Sequence, residues 1–457
     1  MLNKVAGVWD GLSPAWRFSL ASVTLARVFY TLWSLLYLSS FSLVVQNQDI
    51  FGEPVLTVFD MQTSQPYAYS RYMDGSILSF QKLDEVHLRD TKTGSVWKVS
   101  SGECVSGTYT GKNLSAAKIS TERLFPYHGV PAHPVPLISI WQRFDVNWYL
   151  VIARNGYGSV SGDVHFPPLY PVMIRWVSIL LRDDMLSGLL IAQLALYYLV
   201  KLLYELFAKW GSETTASKSL FLLLIFPTSF FLFSAYTEAV FMILAILSLR
   251  SMQDGKWHWA GFWIFCAILV RLQGVALIVP LAWVILRTRF KNVLWSDIFF
   301  AGLSPTIAIG VYLLLRASVG DSSVIPLNEA DLHARIVFPW ESLIYSVRYI
   351  FDGLGGYIDI LNLVAFLTFS AVLVANWKKL PIEYALFSAA GIIIFSMRWV
   401  DTQPLNSMIR YLLTVFPLFF LFGRFAESRW ANRLVFLLFL GLNLFLSAQF
   451  FLWGWVA

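Results

Sequence analysis

The hydrophobic pattern divides the chain into three kinds of stretch. Over about residues 18–45 apolar positions run almost unbroken, long enough to cross a bilayer once, with Arg27 as a charge that must face other protein. Lys4 and Arg17 precede this run and no small-residue cleavage site leads into a soluble domain. That predicts an uncleaved first helix with a cytoplasmic start. Over about residues 46–136 the long runs vanish. Short alternating segments at 55–59, 76–80 and 95–99 replace them, separated by Asp74-Gly75, Thr93-Gly94 and Ser101-Gly102. Period-two alternation between glycine turns predicts a small β-rich insert of hairpins outside the membrane.

Beyond residue 166 apolar runs return at about 167–181, 185–207, 220–226, 236–249, 259–270, 275–286, 298–315, 360–375, 384–396, 408–422 and 434–453, with a polar and amphipathic loop over 317–357. These and the first run are twelve apolar runs, some too short to span fully at about twenty residues per crossing, which gives roughly eleven membrane segments. The expected division is a tail and first transmembrane helix (1–45), the β-rich insert (46–136), an interfacial loop and helix (137–165) and a multi-helix membrane domain (166–457). Lys209, Lys218, Arg250, Lys256, Arg287, Arg289, Lys291, Lys378 and Lys379 fall in short loops that the positive-inside rule assigns to the cytoplasm. Residues 167–181 fit that scheme only as a re-entrant segment, or else the topology is shifted by one helix.

Residues 141–157 carry a different pattern. Helical spacing puts Trp141, Phe144, Trp148, Val151 and Ile152 on one side and Arg143, Asn147 and Arg154 on the other, until Gly156 ends the run. This predicts an interfacial helix, too short and mixed to span, with its aromatic side among headgroups and its basic side wet. Asp145 lies one turn from Trp141, Trp148 and Tyr149, so a carboxylate sits on the aromatic side, where loss of water favours accepting a proton. An equal alternative pairs it with Arg143 or Arg154, or makes it a helix cap.

Composition removes the soluble classes. With 57% hydrophobic and 14% charged residues, the chain reads as a polytopic membrane protein. The net charge of +6 comes from Lys and Arg in short loops and gives no nucleic-acid signal. Cys104 and Cys266 form no disulfide framework, zinc pair or haem motif, and the six His show no ligand spacing, so no metal or cofactor is implied. Asn113-Leu-Ser115 fits a glycosylation sequon, a triplet common by chance.

The same topology gathers Asp145, His165, Tyr170, Tyr236, Glu238, Arg271, Gln273, Arg398, Asp401 and Arg410 on the outer side. Ionisable residues at membrane depth are costly and point either to function or to ion pairs inside the bundle. Cations at the mouth of an apolar bundle beside a carboxylate suit a ligand with a long lipid tail and an anionic phosphate head.

Five motifs in order then carry a resemblance. Phe144-Asp145-Val-Asn-Trp148-Tyr149-Leu-Val-Ile152-Ala153-Arg-Asn-Gly156-Tyr157 resembles the signature of the second mannosyltransferase of glycosylphosphatidylinositol-anchor synthesis and its prokaryotic relatives. Phe166-Pro-Pro-Leu-Tyr-Pro171 is similar to that family's Phe-Phe-Pro-Leu-Tyr-Pro. Phe226-Pro227 with Ser234-Ala-Tyr236-Thr-Glu238-Ala-Val-Phe241, Arg271-Leu-Gln-Gly274, and Arg410-Tyr411 with Phe416-Pro417 are similar to its later motifs. The resemblance covers most of residues 140–425. The insert at 46–136, Val146-Asn147 and Pro167 depart from the family pattern.

The resemblance implies an all-α polytopic GT-C glycosyltransferase carrying a small β-rich extracytoplasmic insert. Such an enzyme takes a hexose, typically mannose, from a polyprenyl or dolichyl phosphate and transfers it to a glycan or glycolipid acceptor on the non-cytoplasmic face, with inversion. By that resemblance Asp145 is the general base, Arg271 and Arg410 stabilise the phosphate leaving group, and Tyr236 and Glu238 orient sugar hydroxyls or those arginines. Arg143, Trp148, Tyr149, His165, Tyr170, Gln273, Arg398 and Tyr411 complete the expected substrate-binding set. The partners implied are the lipid-linked sugar donor, the acceptor and membrane lipids. The motif forms favour a prokaryotic plasma membrane over the endoplasmic reticulum. Two other classes stay open: a polyprenyl-lipid flippase or transporter, for which no inverted repeat is evident, and a non-enzymatic scaffold.

Overall fold

The computed structural model describes residues 9–38, 43–50, 53–60, 65–117, 130–160, 162–287, 295–320, 334–400, 404–425, 429–454 and 456. The first helix, α1 (Pro14–Leu35), starts where Ser13 accepts a hydrogen bond from the Trp16 amide and Pro14 presets the first turn. Leu25, Leu32 and Leu35 are exposed on its outer face, while Val23 and Tyr30 are buried on the inner one. Arg27 does face protein, donating to the Phe233 carbonyl at 2.7 Å and lying 4.7 Å over the Trp141 ring. The helix is shorter than the apolar run: residues 43–45 pair in a strand instead of extending it.

Three antiparallel sheets follow. β1 (Leu43–Ile50), β2 (Glu53–Asp60) and β3 (Gln65–Ser70) form one, β4 (Tyr72–Met73) and β5 (Ser76–Ile77) a second, and β6 (Phe80–Lys82), β7 (His87–Asp90), β8 (Val96–Lys98) and β9 (Cys104–Ser106) a third. Asp74 and Gly75 turn the β4–β5 hairpin with φ of 49° and 75°, the left-handed pair that a two-residue hairpin requires. The segment 76–80, expected as one strand, is split between β5 and β6, because the Leu78 amide turns away to donate to Arg71. Leu56, Val58, Phe80, Leu88 and Trp97 fill a core separate from that of the helices.

The rest is helical, and the protein is an integral membrane protein. After a single turn at Pro136–Ser139 come α2 (Asp145–Asn155), α3 (Leu169–Leu181), α4 (Asp184–Trp210), α5 (Glu213–Leu224), α6 (Glu238–Gln253), α7 (Trp257–Val270), α8 (Ile278–Arg287) and α9 (Trp295–Ser318). A strand β10 (Ala334–Ile336) precedes α10 (Pro339–Phe351), α11 (Tyr357–Ala375) and α12 (Ile382–Ser396). Strand β11 (Arg398–Val400) pairs with β10, and α13 (Met408–Leu412), α14 (Pro417–Phe425) and α15 (Arg429–Phe451) close the chain.

Among the described residues five helices are long and apolar enough to cross a membrane: α1, α4, α11 and most of α9 and α15. The apolar helices α3, α6, α7 and α12 have 13, 16, 14 and 15 residues. At 1.5 Å per residue they reach only about 20–24 Å, short of the roughly 30 Å hydrocarbon core. The expected run at 408–422 is broken into α13 and α14, with Pro417 opening the second. α5 and α14 touch so closely that a Cβ at Gly423 would overlap Ser219.

Candidate functional site

The helix carrying Asp145 is not the interfacial helix that its sequence suggested. α2 begins at Asp145 itself, and Trp141 and Arg143 belong to the chain before it. Phe144 makes the break with φ 48° and ψ −117°, a left-handed conformation that non-glycine residues adopt at a cost of order 1–3 kcal/mol. Its ring is fixed against Phe450 and Trp453, at 5.9 and 5.3 Å. The expected wet basic side is realised only at Arg154, which is exposed. Arg143 and Asn147 are fully buried with Val146 and Leu150, so α2 is embedded in protein. Arg143 donates to the carbonyls of Ser139, Gln142 and Phe451 and lies 4.5 Å over the Trp453 ring. Arg154 pairs with Asp184. The alternative that gave Asp145 either arginine therefore fails.

Asp145 pairs instead with Arg410, whose Nη1 lies 2.7 Å from its Oδ2. The Nε of Arg410 donates to Oε1 of Glu238 at 2.8 Å, and the same oxygen takes Nη1 of Arg271 at 2.7 Å. The four side chains thus alternate in sign: Asp145, Arg410, Glu238, Arg271. Glu238 has no solvent-exposed surface and Arg410 keeps 5%, whereas the Asp145 side chain is 22% exposed, so the chain of charges opens outward at Asp145. Of the two sequence expectations for Asp145, a base held among aromatic rings or an ion-paired carboxylate, the structure shows the ion pair, with Arg410 in place of Arg143 or Arg154.

Local structure explains each placement. Glu238 opens α6, where unpaired amides favour an anion. Arg271 ends α7, and Gly274 lets the chain double back against it: a Cβ there would lie 2.6 Å from the Ile268 nitrogen. Arg410 sits in the short α13, pinned where Asn362 accepts the Ile409 amide and Thr228 donates to the Ile409 carbonyl. Its guanidinium lies 4.5 Å over the Tyr236 ring and 4.7 Å over Phe231.

Of the remaining expected residues, Tyr236 and Tyr411 lie at this cluster, and Tyr149 and Arg398 meet those two. Tyr236 donates to the Arg143 carbonyl at 3.1 Å. Tyr149 packs edge-on against Tyr170, Tyr236 and Phe166, and Trp148 stacks on Phe166 at 5.4 Å. Arg398 donates to the Tyr411 hydroxyl at 2.7 Å, and Arg271 lies 5.6 Å over the Tyr411 ring. Tyr170 is spent on the Gly188 carbonyl. His165 Nδ1 meets the Gly162 carbonyl, and its Nε2 has no partner among the described residues. Gln273 follows Arg271 in the turn Leu272–Leu277 and makes no side-chain hydrogen bond with a described residue. Asp401 lies outside the described residues.

Three contributors escaped the sequence reading. Thr237 accepts from Arg271 at 2.9 Å, Phe231 lies under Arg410, and Trp453 buttresses Phe144. Thr237 could have been suspected as the neighbour of Glu238; nothing marks the other two. Among the described residues no group of three His, Cys, Asp or Glu could hold a metal ion. No family model, curated protein or solved structure matches the chain.

Proposed function

We propose that the protein is a membrane glycosyltransferase of the GT-C kind, moving a hexose, mannose by the resemblance, from a polyprenyl- or dolichyl-phosphate sugar to a lipid-linked or glycan acceptor. The observation that carries the reading is the alternating cluster Asp145, Arg410, Glu238, Arg271, assembled from helices far apart in sequence and exposed at its carboxylate end. Asp145 is the general base. The acceptor oxygen attacks the anomeric carbon from the face opposite the phosphate, the bond from that carbon to the phosphate oxygen breaks, and the hydroxyl proton passes to Asp145.

Charge balance gives Arg410 its role. Two carboxylates and two guanidiniums sum to zero; when Asp145 takes the proton the cluster gains one positive charge, as the departing polyprenyl phosphate gains a negative one. Arg410, still held by Glu238 through its Nε, then has its Nη1 released from Asp145 and able to meet the leaving group. Arg398 and Tyr411 extend the positive wall, while Tyr149, Trp148 and Phe166 supply an apolar face for the sugar ring.

In this reading the cluster and the β sheets lie on the non-cytoplasmic side, Lys209, Lys218, Arg250 and Lys256 on the other, and the short helices complete about eleven membrane segments in a prokaryotic plasma membrane. The test is transfer of labelled mannose from polyprenyl-phosphate-mannose in membranes carrying the protein. Asp145→Asn is expected to lose about 10²–10⁴-fold, the range of a general base. Full transfer by that variant removes the base assignment; no transfer by either protein from any lipid-linked sugar sinks the enzyme reading and favours a lipid transporter.

A further inference from the structure

A groove of about 330 Å³ opens between α1, α5 and α15, far from the charged cluster. α1 lends it Phe18 and Ser22, α5 lends Ser217, Lys218 and Phe221, and α15 lends Asn432 and Phe436. The far end of α15 reaches the cluster, since Phe450 packs on Phe144 and the Phe451 carbonyl takes Arg143. From residue 432 to 450 the helix rises about 27 Å, close to one hydrocarbon thickness, so the groove belongs to the opposite membrane face.

Its chemistry is layered. Phe221 and Phe436 lie deeper in their helices, with rings stacked at 5.7 Å and 10°. Ser22 spends its hydroxyl on the Phe18 carbonyl, so it adds little polarity. Nearer the helix starts are Ser217, whose hydroxyl oxygen can still accept after donating to Glu213, the Lys218 ammonium, and Asn432, whose carboxamide bonds to no described residue. Arg17, whose Nε donates to the Leu12 carbonyl, and Arg433, over the Trp430 ring, are neighbours of the lining residues in sequence and do not line the groove, and Glu213 is the acidic residue among the described parts of the three helices. One lysine and a carboxamide above an aromatic floor between membrane helices match an anionic headgroup with its acyl chain.

We infer that this groove is a binding site for an anionic phospholipid. Lys218 and the Asn432 amide hold the phosphate, and one acyl chain lies on the Phe221–Phe436 stack. The site is independent of the sugar-transfer reading and lies at the other end of the bundle.

The test uses the full chain in neutral detergent micelles doped with phosphatidylglycerol or phosphatidylcholine, read by lipid retained per protein in native mass spectrometry and by thermal unfolding. Phosphatidylglycerol is expected to be retained preferentially and to raise the unfolding midpoint. Lys218→Ala with Asn432→Leu is expected to weaken retention by about fivefold or more, the scale of one basic contact at an anionic surface. Lys256→Ala, on an exposed loop, leaves it unchanged. Phe436→Trp, which narrows the groove without touching its charge, lowers retention as well and decides the matter should the double variant not fold. Equal retention of phosphatidylcholine, unchanged retention in both groove variants, or an equal loss in Lys256→Ala overturns the site.

Discussion

Lys112 and Asp74 meet on the surface of the β sheets with their side chains about half exposed, whereas Glu238 meets Arg271 and Arg410 with no surface of its own in contact with solvent. The first pair is embedded in water that screens it and competes for it, so its net worth is small. The second cost the desolvation of every partner, which a hydrophobic trio of the same volume would have avoided. A charge network that adds little net stability, yet whose members are costly to remove singly, fits the proposed site.

The contrast can be tested from its heavy end. Glu238→Ala leaves two buried guanidiniums facing each other without their shared anion, and should destabilise the bundle by about 3–5 kcal/mol, read as a fall in the unfolding midpoint in micelles. A midpoint unchanged in that variant would remove the distinction between the two regions. Next comes Trp453→Ala, which deletes the ring behind Phe144 and over Arg143 and should cost about 3 kcal/mol. Hydrogen exchange should rise at the start of α2, because Phe144 holds its left-handed conformation only while packed; unchanged protection there means the backbone sustains itself.

Asp90 sharpens the light end. It is a buried carboxylate within the β region, yet it accepts from the Lys92 and Thr93 amides, the Thr93 hydroxyl and the Trp97 indole. Burial pushes its carboxyl up, but the hydrogen bonds from Thr93, Trp97 and Lys92 outweigh that and leave it below the usual aspartate range. A carboxyl lowered by folding stabilises at neutral pH and loses that contribution as pH falls through the folded-state value, so acid should loosen β7–β8 in a way that Asp90→Asn no longer shows. At neutral pH the substitution should cost about 1–2 kcal/mol. Smallest of all, Lys112→Ala should change stability by less than about 1 kcal/mol; a larger loss would show that the surface pair is not solvated as its exposure indicates.

What the sequence disclosed follows from the range of the forces involved. Local rules placed the hairpin at Asp74-Gly75, strands at 55–59 and 95–99 and the long apolar helices, because each is decided within a few residues; the strand expected at 76–80 is split. Asp145, Glu238, Arg271 and Arg410 stood out as charges in apolar surroundings. Their association was implied by the resemblance, which set Glu238 and Asp145 beside the arginines, and spacing alone could not show it, since Arg410 reaches Glu238 across 172 positions and Asp145 across more. The helix at Trp141 was misread for a related reason: helical spacing is continuous through Phe144, and Phe450 and Trp453, from the far end of the chain, pack against the break. Arg143 was assigned to water because nothing nearby reveals the ring that covers it.

The short helices carry one more consequence. α6 begins at Glu238 and α7 ends at Arg271, and both are about 6–9 Å shorter than the hydrocarbon layer is thick. Matching such elements at the opposite surface leaves their charged ends in a depression, which either floods or draws the surrounding leaflet inward. Acyl-chain length then becomes a control knob: bilayers of longer lipids deepen the well above Glu238 and Arg271, and those of shorter lipids bring its floor toward the surface.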